Sequence, residues 1–94
     1  MHDWILISIL VEWTKGTVII TFDTYEFNSV SLIAEGLIEI IIPKHEEWGR
    51  SVSINEACGP IQLENGNYRL KLEIQSGDTI VLEATSIQMP TLNP

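Results

Sequence analysis

The stretch "YRLKLEIQSGDTIVLEATSI", Tyr68 to Ile87, decides the fold class. Tyr68, Leu70, Leu72 and Ile74 alternate with Arg69, Lys71, Glu73 and Gln75. A period of two is that of a strand with one face in a core and the other in water. Ser76, Gly77 and Asp78 then bring turn chemistry, and Ile80, Leu82 and Ala84 resume the alternation on the way back. The stretch reads as a β-hairpin.

Working outward, "ENGN" (Glu64–Asn67) contains Asn-Gly, the strongest short hairpin signal. Before it, "SVSINEA" places Val52 and Ile54 inward and Ser51, Ser53 and Asn55 outward, until Cys58, Gly59 and Pro60 kink the run. In "VSLIAEGLIEIIIP" (Val30–Pro43), Val30, Leu32 and Ala34 share a face. After Gly36, Ile38, Ile40 and Ile42 are expected on one side and Glu39 on the other, with Gly36 either a bulge in one long strand or a corner between two.

"TVIITFD" (Thr17–Asp23) puts Val18, Ile20 and Phe22 on one face, after a turn at "TKGT" (Thr14–Thr17). Trp4–Trp13 is too apolar to alternate and reads as a strand covered on both faces. Its core, "WILISILV", has the oiliness of a signal peptide. Asp3 stands where a basic residue would be needed, no small-residue cleavage site follows, and a membrane span needs about 20 residues.

No segment carries sustained helical spacing of apolar residues. The expectation is all-β: an antiparallel six-to-eight-strand sandwich, roll or small barrel with little or no helix. Residues 1–94 form a single domain, with 90–94 a frayed tail. Apolar residues make up 45% of the chain, enough for a packed interior.

Charge narrows the function classes. Thirteen acids against five bases give a net charge of -8, which repels phosphate backbones and argues against nucleic acid. The same field accelerates encounter with a basic protein. One cysteine permits no internal disulfide, so a reducing, cytoplasmic setting is expected.

The chemistry-bearing residues concentrate in "KHEEWGRSVSINEACGP" (Lys44–Pro60). A zinc site needs three or four converging ligands, and His45 with Cys58 lacks a spacing that fixes two of them on one face. Cys58 as a nucleophile would need His45 as base and an oxyanion hole; beside Ala57, Gly59 and Pro60 an inert cysteine is the simpler reading. No phosphate-binding glycine motif occurs. Catalytic residues, cofactor and metal ligands are therefore expected to be none. Trp48 beside Arg50 has the composition of a binding hot spot, although a tryptophan can equally fold back over the core. Glu46, Glu47, Trp48, Arg50 and Glu56 are the expected partner-binding residues.

The opening "HDW", the central "WGRSVSINEACGP" and the later "LEIQSGDTIVLEA" resemble a group of small bacterial β-proteins. These start with His-Asp, carry a Trp-Gly-x-Ser loop and close with a Gln-Ser-Gly-Asp hairpin. That group is broadly similar to immunity-type proteins of toxin systems. The resemblance covers most of the chain but rests on turns, so it implies a non-enzymatic, protein-binding role and carries over no active-site residue.

Three functional expectations follow. The first is a small soluble binding module for a basic protein partner, in its sharper form an acidic immunity-type inhibitor. The second is a structural homo-oligomer, because "WILISILV" and "IEIIIP" hold more apolar side chains than a small sandwich buries. The third is a small-ligand binder or enzyme using a pocket near His45, Trp48 and Glu56.

Overall fold

The computed structural model describes residues 3–24, 28–45 and 53–90. Six strands run through them: β1 (Ile5–Glu12), β2 (Thr17–Asp23), β3 (Ser29–Ile41), β4 (Ile54–Gln62), β5 (Tyr68–Ile74) and β6 (Thr79–Gln88). The hairpin of Tyr68–Ile87 is present as read. β5 and β6 pair antiparallel from Tyr68↔Ala84 to Glu73↔Thr79, with Leu70, Leu72, Ile74, Ile80, Leu82 and Ala84 all buried. The turn is fastened by Ile74 N donating to Asp78 O at 2.9 Å.

All six strands belong to one antiparallel sheet in the order β1-β2-β3-β6-β5-β4. β4, β5 and β6 follow one another as hairpins while β3 lies beside β6, which is the Greek-key arrangement. No helix occurs among the described residues, and none is long and apolar enough to cross a membrane. A single sheet with no helix to cover it can bury one face only by folding over on itself. β3 is the strand that does this. Its first half pairs with β2, up to Val18↔Ala34, and its second half pairs with β6, down to Ile41↔Val81.

The result is two leaves that share β3, with the core between them. Trp4, Leu6, Val18, Ile20, Phe22, Leu32 and Ala34 come from one leaf. Ile54, Leu70, Leu72, Ile74, Ile80, Leu82 and Ala84 come from the other. Across from β3 the described residues clasp the leaves at one place. Ile5 and Ser53 form an isolated bridge, Asp3 N donates to Ile54 O at 2.9 Å, and Ile54 N donates to Trp4 O at 2.7 Å. The sheet is thus a roll pinned at one corner, with no further pairing between β1 and β4 among the described residues.

Gly36 is where β3 turns from one leaf to the other. Its φ of 66° is one that side chains other than hydrogen resist, and an added Cβ would run into Thr85, whose own Cβ would lie 2.9 Å away. Thr85 Oγ1 uses that space to donate to Glu35 O at 3.0 Å. Of the two alternatives read from the sequence, a bulge in one long strand or a corner between two strands, the first is realised. β3 is one continuous strand, it bends at Gly36, and a bulge follows between Leu37 and Glu39.

That bulge corrects one expectation. Ile38, Ile40 and Ile42 do not share a face: the additional residue returns Leu37 and Ile40 to the core and leaves Ile38 and Ile42 exposed. A second correction concerns β1, which is not covered on both faces. A bulge between Leu6 and Ser8 keeps Leu6, Ile9 and Val11 against the core and turns Ile7 and Leu10 outward, about half exposed. Third, Ser53 is not an outward residue. It is buried in the clasp, where its carbonyl also accepts from Gln75 N at 3.0 Å.

Candidate functional site

The outward-turned apolar side chains are not spread evenly. β2 begins at Thr17, so the β2–β3 ladder stops at Ala34 and only one further bond, Leu37 N to Gly16 O at 2.9 Å, carries it on. Beyond that bond, Ile38–Ile41 has β6 along one edge and no described strand along the other. The β1–β2 turn stands at the start of this free edge, with Trp13 83% exposed, and Ile38 beside it is 55% exposed. Trp13, Gly16, Leu37, Ile38, Glu39 and Ile40 line a hollow of about 320 Å³. Ile41 and Ile42 extend the apolar surface along β3.

The sequence builds this hollow in three ways. The turn needs Gly16, whose N–H donates to Trp13 O at 3.2 Å and so holds the tryptophan at the tip. Lys15 and Glu12 pair at 3.3 Å across the same turn, consuming its one cation. The bulge in β3 then swings Ile38 outward where regular alternation would have sent it to the core.

Electrostatically the hollow is acidic. Glu39 faces Glu83 across β3 and β6. Glu83 is compensated on its other side, where its carboxylate accepts from Arg69 Nη2 at 3.1 Å and Asn67 Nδ2 at 3.4 Å. Glu39 has no ion-pair partner among the described residues. Like charges opposite one another on a sheet are unfavourable, so an incoming cation is favoured beside this carboxylate.

A second hollow of about 250 Å³ lies on the outer face of the β4–β5 pair, lined by Cys58, Ile61, Leu63, Arg69 and Lys71. Cys58 faces Lys71 and Ile61 faces Arg69. The thiol is exposed, and β5 and β6 stand between its strand and the one leading to His45. The β4 edge is irregular, broken by two bulges and by Pro60, features that discourage a strand from adding there.

Of the partner-binding residues expected from sequence, Glu46, Glu47, Trp48 and Arg50 lie outside the described residues. Glu56 is exposed on β4 opposite Glu73, whose Oε1 accepts from Asn55 Nδ2 at 2.8 Å. His45 is exposed beyond the end of β3, and neither hollow is lined by His45 or Glu56. Among the described residues no three His, Cys, Asp or Glu side chains gather as metal ligands would. Trp13, Ile38 and Glu39 escaped sequence reading as a site. The available signal was the surplus of apolar side chains in "LIEIII", more than one inward face can take.

No protein-family model matches the chain, and no curated protein matches it. The reading of the site rests on its geometry.

Proposed function

We propose that this protein is a non-enzymatic binding module for a basic protein, with its contact surface centred on Trp13 and the bulged half of β3. The observation that carries this reading is the clustering of an exposed tryptophan and three exposed isoleucines, Ile38, Ile41 and Ile42, around an uncompensated carboxylate. An exposed tryptophan beside apolar side chains is a common anchor of an interface. The net charge of -8 adds long-range attraction for a cationic partner. An acidic immunity-type inhibitor of a basic toxin is the sharper form of the proposal, and Glu46, Glu47, Trp48, Arg50 and Glu56 are its further candidate contacts.

The test is affinity capture from the native host with wild-type and Trp13→Ala protein in parallel, each partner being identified and then titrated with salt as a purified pair. A basic partner held by the wild type, released by the variant and weakened as salt rises is the expected result. Equal retention by both proteins sinks the reading. The same apolar edge would also serve a homodimer, the structural-subunit reading, but two copies would bring -8 against -8. A single monomeric species in sedimentation at micromolar concentration separates the two.

A further inference from the structure

The geometry points to a mode of binding: we propose that the edge Ile38–Ile42, the end of β3 and the residue after it, which has no strand beside it among the described residues, takes an added strand from a partner, an extended segment alternating basic and apolar residues. The proposal rests on the binding-module reading and deepens it.

The backbone argument comes first. An edge of a sheet offers N–H and C=O groups that an extended chain can satisfy, and proteins commonly blunt such edges. β4 is blunted by bulges and Pro60. The second half of β3 has one bulge, at its beginning, and no proline before Pro43. The four strand residues Ile38–Ile41 and Ile42 just beyond them span about 17 Å when extended, enough for four or five residues of a partner. Trp13 stands at one end of this edge and closes it off as the wall of the hollow.

The side chains then set the partner's chemistry. Past the bulge, Ile40 packs toward the core while Glu39 and Ile41 face outward. A residue added opposite Glu39 sits beside a carboxylate that already faces Glu83, so a lysine or arginine is favoured there and an acid rejected. A residue two positions along lies on the same face against Ile41, where the methylene stem of a second lysine or arginine packs while its charge stays in water. The residue between them turns toward Leu37, Ile40 and the ring of Trp13. Charge complementarity thereby selects a cationic strand over a second copy of this acidic chain.

The probe is a synthetic ten-residue peptide alternating Lys and Val, with one alternating Glu and Val as control, added to the isotope-labelled full chain. The Lys peptide is expected to slow amide hydrogen exchange within 38–42 and to shift the Trp13 indole signal; the Glu peptide does neither. Glu39→Lys, which removes a like-charge contact and so leaves the fold intact, should weaken the Lys peptide about tenfold and admit the Glu peptide. Signal shifts without protection at 38–42, or equal binding by the variant, overturn the proposal. So does protection of these amides in the free protein that grows with its concentration, since a second copy would then hold the edge. The binding-module reading fails separately. If Trp13→Ala releases the natural partner while the 38–42 amides gain no protection in that complex, only strand addition is lost; if Trp13→Ala retains the partner, the module reading is lost and the peptide result stands alone.

Discussion

The β5–β6 hairpin and the second half of β3 are built from the same kinds of side chain and end in opposite conditions. Along β5 and β6 every second residue is apolar, and Leu70, Leu72, Ile74, Ile80, Leu82 and Ala84 are all at or below 1% exposure. In β3 beyond Gly36 the apolar residues come in a near-continuous run, one bulge shifts the alternation, and Ile38 and Ile41 face water. Stability is therefore concentrated in the hairpin, and the surface available for contacts in the strand beside it.

The sharpest way to break that comparison is to truncate one residue in each region. Leu72→Ala empties a fully enclosed site and should cost about 2–5 kcal/mol. Ile41→Ala removes a half-exposed side chain and should cost well under about 1 kcal/mol. Urea denaturation of both variants measures the difference, and similar losses would mean that Ile41 belongs to the core. Next in size is Gly36→Ala. The left-handed φ costs about 1–2 kcal/mol, and the collision with Thr85 adds to it. Thr85→Ala in the same chain should recover the steric part alone. Gly77→Ala, at a positive φ with nothing within 4 Å, should show only a conformational cost.

Smaller again is the ion pair on the outer face of the hairpin. Arg69→Met leaves Glu83 facing Glu39 with only the Asn67 amide beside it and should cost about 1 kcal/mol, falling as salt is raised. Trp13→Ala should be the smallest, within about 0.5 kcal/mol of the wild type, because its ring is exposed. A melting temperature unchanged by Trp13→Ala, together with lost partner binding, would sharpen the contrast between the two regions.

How much of this was legible in the sequence follows the same division. Strict alternation over Tyr68–Ala84 gave strand identity, inward faces and the turn at Ser76–Asp78 correctly, because a hairpin closed by a short turn fixes its own register. β2 and the first half of β3 were readable for the same reason. Bulges were not. An extra residue at Ile7 or Ile38 changes which face every later side chain takes, and an apolar run offers no polar residue to reveal the slip. Ser53 was misplaced because its burial comes from a long-range bridge to Ile5, which no local pattern encodes. Of the site residues, Glu56 is on the surface as expected, while Trp13 was taken as the end of a covered strand. Its exposure follows from a turn that projects past the sheet. Glu46, Glu47, Trp48 and Arg50 lie beyond what the described residues address.

The sharing of β3 between the leaves has a kinetic consequence. Its partners on β6 are far along the chain, 40 positions for Ile41 and Val81 and 55 for Ile33 and Gln88. Local hairpins can zip early, but neither leaf is enclosed until this distant pairing forms, so refolding should be slow for so short a polypeptide, in milliseconds to seconds. Until then the isoleucine-rich strand waits uncovered, and crowded refolding mixtures would lose material there first.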